Sequence, residues 1–104
     1  MITTCALDIA ADHAAFAGHF PNNPILPGAV LLDEMLSAAA GARGIDITRF
    51  RIASAKFLGV VRPGDALRLQ LEDHSAGTIR FAIRGANGTV VSGTLASVSQ
   101  EAHA

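Results

Sequence analysis

A base, an acid and a helix-start amide in the first third of the chain could together carry out proton chemistry. His19 carries the side chain that ordinarily titrates near neutrality, so it can take a proton at physiological pH. Asp33 follows fourteen positions later, inside Ala29-Val30-Leu31-Leu32-Asp33-Glu34-Met35-Leu36. That run is rich in helix formers and almost entirely apolar, and desolvation in such surroundings favours the protonated acid, which suits a proton donor. Gly28 stands between the two where the helix opens, and there unpaired backbone N–H groups and the positive end of the dipole point outward. Lacking a Cβ, it lets an oxyanion approach its amide closely. Glu34 lies about 100° round the axis from Asp33 and cannot face the same way. It is the candidate for a plain helix-start charge favoured by the dipole.

The elements that must hold these groups follow from the pattern on either side. Residues 2–9 mix β-branched and apolar types and read as a strand. Asp12 is placed to cap a short helical turn over 13–17 that ends at Gly18. Pro21, Pro24 and Pro27 then exclude a regular helix between His19 and Gly28. The helix runs from Ala29 to about Ala42, apolar almost all the way round, which predicts a buried helix between the loop and the breaks at Gly41 and Gly44. Four strands are expected at about 48–60, 65–73, 78–85 and 89–98. Leu67-Arg68-Leu69-Gln70-Leu71-Glu72 and Ile79-Arg80-Phe81-Ala82-Ile83-Arg84 alternate strictly. The connectors Arg62-Pro63-Gly64-Asp65, Ser75-Ala76-Gly77 and Asn87-Gly88 supply turn chemistry, so the last strands form an antiparallel meander. One buried helix with such a sheet is an α+β domain. It is read as a single domain over 1–104, with a frayed tail from about 99.

Composition narrows the function classes. At 104 residues, 50% hydrophobic and without Trp or Tyr, the chain builds its core from aliphatic residues and five Phe. A domain of this size buries a modest share of its surface, so association is expected. A net charge of -1 gives no general case for nucleic acid. Charge is nonetheless uneven: residues 1–42 hold Asp8, Asp12, Asp33 and Glu34 and no Lys or Arg, and all eight basic residues lie from Arg43 to Arg84. Either a basic face for an acidic partner or solvated outer strand positions would account for this. Cys5 has no second cysteine to pair with and reads as strand packing, and no Cys/His cluster has zinc spacing, so no metal is expected. The lone cysteine suits a reducing cytoplasm, and no membrane span is expected, because no apolar run reaches about 20 residues. His13, His74 and His103 read as surface or turn residues.

The stretch Gly18-His19-Phe20-Pro21-Asn22-Asn23-Pro24-Ile25-Leu26-Pro27-Gly28-Ala29-Val30-Leu31-Leu32-Asp33 resembles the active-site segment of bacterial β-hydroxyacyl-acyl carrier protein dehydratases. Lys56-Phe57 and Val61-Arg62-Pro63-Gly64-Asp65 are similar, in order and spacing, to the strand and turn after that family's central helix. Together the resemblance covers roughly residues 16–71. It implies a hot-dog fold, an antiparallel sheet wrapped around one long helix. It also implies dehydration of 3-hydroxyacyl-acyl carrier protein thioesters to trans-2-enoyl thioesters, in fatty acid or polyene biosynthesis.

In that chemistry His19 removes the C2 proton, Gly28 stabilises enolate-like charge on the thioester oxygen, and Asp33 protonates the departing hydroxyl directly or through a water. Phe20 and Pro27 are the further substrate-binding candidates. Asp33 stands where commoner members have Glu and the dehydratase/isomerase branch has Asp. The resemblance implies no cofactor beyond the substrate's own phosphopantetheine arm. The implied working unit is a homodimer, or a trimer of such dimers, in which His19 of one subunit faces Asp33 of the other. Acyl carrier protein is the implied acidic partner, with Lys56, Arg62 and Arg49 as docking candidates. Phe50, Leu58 and Phe81 are expected to set tunnel depth. Three rivals remain: a hot-dog thioesterase, a hydratase running the reverse reaction on coenzyme A thioesters, and a non-catalytic partner subunit of a heterodimer.

Overall fold

In the computed structural model, which describes residues 1–17 and 23–98, the elements run in the order that the patterning predicts. Strand β1 (Ile2–Leu7) leads to a 3-10 turn (Ala14–Phe16) and to helix α1 (Gly28–Arg43). A second 3-10 turn (Ile47–Arg49) precedes β2 (Phe50–Phe57), β3 (Leu67–Asp73), β4 (Thr78–Gly85) and β5 (Gly88–Ser97). The five strands form one sheet in the order β1-β3-β4-β5-β2, and every pairing is antiparallel. The meander β3-β4-β5 is its centre, and β1 and β2 are its edges.

Alternation explains the core. Leu67, Leu69 and Leu71 of β3 and Ile79, Phe81 and Ile83 of β4 are buried, while Arg68, Arg80 and Arg84 between them are exposed. Val90 and Val91 are both buried because the β4/β5 register shifts between Ile83 and Arg84. A second irregularity, between Ile52 and Ser54, bends β2. Cys5 packs against this core from β1, as its strand position predicts.

The helix meets the sheet through Leu31, Met35 and Ala39, spaced four apart and all buried. The expectation of a helix buried all round is corrected here. Ala29, Asp33, Ser37, Gly41 and Ala42 are exposed, because the sheet covers one side and the residues facing away are small or polar. Gly41 does not break the helix. It ends at Gly44, which takes the left-handed conformation at φ 64° and donates its N–H to Ala40 O at 2.8 Å. Arg43, in the last turn, donates to Asp73 Oδ1 at 2.9 Å and to Leu71 O at 3.4 Å, tying the helix end to β3.

Two local expectations change. Asp12 is not the cap of the first turn; the Ala15 N–H donates instead to Nδ1 of His13. Strand β2 begins at Phe50 and not at 48, because Asp46 accepts from the Thr48 N–H and hydroxyl and curls 47–49 into the second 3-10 turn. Those hydrogen bonds hold the Asp46 carboxyl below its ordinary range. The tail at 99–104 lies outside the described residues.

Candidate active site

The site is built around the start of α1. Pro27 is the N-cap, and its carbonyl accepts from Val30 N–H at 3.0 Å and Leu31 N–H at 3.1 Å. The N–H groups of Gly28 and Ala29 precede the first intrahelical bonds, and no partner for them is found among the described residues. Gly28 opens into a cleft of about 300 Å³ whose lining includes Ile25, Pro27, Leu31, Phe57 and Val60. The walls are mostly apolar, which strengthens any hydrogen bond made there to a developing negative charge.

A chain of backbone bonds fixes the cleft. Leu26, buried, donates its N–H to Val61 O at 2.8 Å, and Leu58 and Gly59 both donate to Val90 O, at 2.7 and 3.1 Å. The Arg62-Pro63-Gly64-Asp65 turn closes as its residues predict. Gly64 has φ 87°, the Asp65 N–H reaches Arg62 O at 3.1 Å, and the Arg62 N–H reaches Asp65 Oδ2 at 2.8 Å.

The ring of Phe57 lies directly over Gly28. A methyl group at Gly28 would meet two carbons of that ring at 2.8 and 2.9 Å. Phe57 lies in the family-like segment with no role implied there, and the structure supplies one: the ring roofs the helix start.

Asp33 is elsewhere in the single chain. Five residues after Gly28 it is about 140° round the helix axis, on the exposed stripe. Its apolar neighbours in sequence face the sheet and do not surround it, so the desolvation expected from its position in the run is not realised within one chain. His19 and Phe20 lie outside the described residues. Of the predicted site, the structure therefore brings together Pro27 and Gly28 at the cleft and leaves Asp33 on another face.

The docking candidates separate as well. Arg62 adjoins the cleft through Val61 and donates to Asn23 Oδ1 at 3.4 Å. Lys56 is exposed and pairs in register with Ser92, so alternation puts it on the sheet face opposite to Phe57. Arg49 stands at the far end of β2, about 20 Å away by strand rise, and pairs with Asp46 at 3.7 Å. The outer sheet face holds basic residues that residue order did not single out: Arg68 directly opposite Arg84, with Arg80 alongside. Like charges directly opposite are unfavourable in isolation. Of the tunnel candidates, Phe81 is buried in the core, Phe50 lines a separate depression near Asp73, and Leu58 is half exposed beside the cleft without lining it.

Glu34 is not a free helix-start charge and His13 is not a plain surface residue, because the two pair at 3.3 Å. His74 also has a neighbour, Arg80 Nη2 at 3.2 Å. No spacing rule links residues 21 apart, so the His13–Glu34 pair left no signal in the sequence.

Residues 2–94 match the ApeI-like family, described as ApeI dehydratase. The chain belongs to the ApeI-like dehydratase family. Among curated relatives, a 3-hydroxyacyl-[acyl-carrier-protein] dehydratase FabZ from Levilactobacillus brevis is 40% identical over 77 residues, 66% of this chain and 51% of that protein. The FabZ of Caldanaerobacter subterraneus is 36% identical over 89 residues, 78% of this chain and 60% of that one. The chain thus spans about half the length of the curated relatives it matches.

Among solved structures, the dehydratase heterocomplex ApeI:P from Xenorhabdus doucetiae superposes with a TM-score of 0.72 at 23% identity, covering 91% of this chain and 85% of that one. A thioesterase from Thermus thermophilus, solved with coenzyme A, gives 0.61 at 16% identity over 93% and 79%. Such likeness establishes the fold: this member of the ApeI-like family is a hot-dog domain. No helix among the described residues is long and apolar enough to cross a membrane.

Proposed function

We propose that this ApeI-like chain is a dehydratase acting on 3-hydroxyacyl thioesters carried by the phosphopantetheine arm of acyl carrier protein, in fatty acid or polyene biosynthesis. The observation that carries the reading is the uncapped start of α1 at Gly28, open to an apolar cleft, in a chain of this family that retains His19 and Asp33 in the motif.

The reaction is an elimination. His19 takes the C2 proton; the C2–H electrons form the C2=C3 bond by way of enolate-like charge on the thioester oxygen, held by the Gly28 N–H. The C3–O bond breaks, and the hydroxyl leaves as water with a proton from Asp33 or from a water that Asp33 holds. Proton return from His19 to Asp33 through solvent resets the site. The protein supplies all the acid–base groups, and no cofactor is required.

Assembly completes the site in this reading. Among the described residues strand β2 is a sheet edge, and at its end Phe57, Leu58 and Val60 are 48%, 54% and 44% exposed. Pairing β2 with a second copy covers that edge. It also sets His19 of one subunit against Asp33 of the other, which accounts for Asp33 facing away from its own cleft. The acidic carrier then meets Arg62 at the cleft mouth, while Lys56, on the opposite sheet face, and Arg49, at the far end of β2, do not join it. A cytoplasmic setting suits this partner.

The ApeI:P relative is described as a heterocomplex, and that favours one second reading, in which this chain works as one subunit of a mixed dehydratase.

The deciding experiment offers the purified, untagged chain 3-hydroxyacyl and enoyl thioesters on both acyl carrier protein and coenzyme A. Double-bond absorbance and free thiol are followed separately. Gain of the conjugated double bond without thiol release is expected. Thiol release alone would mean a thioesterase, and silence at high enzyme concentration would support the mixed-subunit reading. Gly28→Ala keeps the N–H but blocks the approach to it, and should reduce kcat/KM about 100-fold, the scale of losing one oxyanion donor. It should melt within a few degrees of wild type, because the half-exposed Phe57 ring can swing aside but then crowds the cleft. An unchanged rate would remove Gly28 from the site.

A further inference from the structure

His13 and Glu34 occupy no position of the family-like motif, yet Nε2 of His13 lies 3.3 Å from Oε2 of Glu34 across 21 residues of chain. Both side chains are largely covered, at 28% and 34% exposed. The backbone fixes the tautomer. Because the Ala15 N–H donates to Nδ1 at 3.0 Å, Nδ1 carries the lone pair, and the ring proton sits on Nε2, where it donates to the Glu34 carboxylate. One imidazole therefore caps the Ala14–Phe16 turn and fastens that turn to the second turn of α1. Phe16, buried, meets the same ring edge-on, with centroids 6.5 Å apart and planes at 90°.

The location gives the pair its consequence. The fastened turn ends three residues before His19, and Glu34 adjoins Asp33 on α1. On the far side of the motif, the Leu26 N–H is held by Val61 O. The described residues on either side of the motif are thus held, Ala14–Phe16 to α1 through His13 and Leu26 to the segment after β2. We infer that His13 and Glu34 are a positioning pair for the proposed dehydration, setting the lead-in to His19 against the helix that bears Gly28 and Asp33. The inference rests on the dehydratase reading. A part-exposed pair of this kind adds little to overall stability, so its loss registers in geometry more than in folding.

The test combines kinetics with imidazole NMR on His13→Ala, Glu34→Ala, Glu34→Gln and the double alanine variant. Each single alanine change should lower kcat about tenfold or more by misplacing the base, with KM within about twofold. The double variant should be no worse than either single, as expected for one coupled unit. Glu34→Gln should recover most of the rate, because its amide oxygen still accepts from Nε2. A fall in melting temperature with unchanged kcat, or a Gln variant as impaired as the Ala one, would overturn the inference. If the wild type turned over no thioester, the dehydratase reading would fail, and the NMR arm would decide separately. The His19 ring signals, assigned by their loss in His19→Ala, should move in Glu34→Ala and return in Glu34→Gln. Identical signals in all three chains would overturn the positioning role.

Discussion

His19→Ala should reduce kcat/KM for a 3-hydroxyacyl thioester by about 10²–10⁴, the range for loss of a positioned acid–base group, with little change in melting temperature. Asp33→Asn should bring a loss of the same order, since the amide cannot give up a proton to the leaving hydroxyl. Mixing the two inactive chains is the sharper measurement. Asp33 lies on the exposed side of α1, away from the Gly28 cleft of its own chain. If the base comes from one subunit and the acid from the other, a mixed dimer has one site with both changes and one with neither. With random exchange, half the dimers are mixed, so about a quarter of wild-type activity should return, as two-fold symmetry requires. Sites built within one chain would give no recovery. Unchanged rates in both single variants would refute the mechanism whatever the product.

Gly93→Ala should be the most damaging small substitution in the sheet, at least about 3 kcal/mol, against the 5–15 kcal/mol that holds a typical domain together. Gly93 is opposite Phe81 of β4 and Ala55 of β2. Its missing side chain leaves the space that the Phe81 ring occupies. A methyl there would be driven into the Ser54 carbonyl oxygen and would meet two Phe81 ring carbons at 2.8 and 2.9 Å. Phe81 is 2% exposed and Ser54 contributes backbone, so neither can yield cheaply. Thermal melts should show a drop of about 12–24 °C for a domain of this size. Gly41→Ala is the matching control: open space surrounds that position in mid-helix, and the change should stabilise by up to about 1 kcal/mol. A Gly93→Ala chain melting near wild type would contradict the packing.

Much of the fold was legible because it rests on local rules. The period-two pattern of 67–72 and 79–84 marks β3 and β4 and their buried faces, and the glycines at 64, 77 and 88 mark the turns, where each takes a positive φ. The helix start at Gly28 follows from three prolines giving way to helix formers. Helix burial is not legible in the same way, for a physical reason. Alanine and glycine are compatible with a covered or an open face alike, so Ala29, Gly41 and Ala42 said nothing about which side of α1 the sheet would cover.

The chemistry divides along the same line. Residue types, spacing and the family-like motif nominate His19, Gly28 and Asp33 as candidates, because base, acid and exposed amide are properties of a side chain and of a helix terminus. Contacts between distant segments were not. Phe57 over Gly28, Arg68 opposite Arg84, His13 on Glu34 and the space at Gly93 all depend on register between strands or on the angle at which the sheet meets the helix. Those are set by packing the whole core at once, and no stretch of sequence carries them alone.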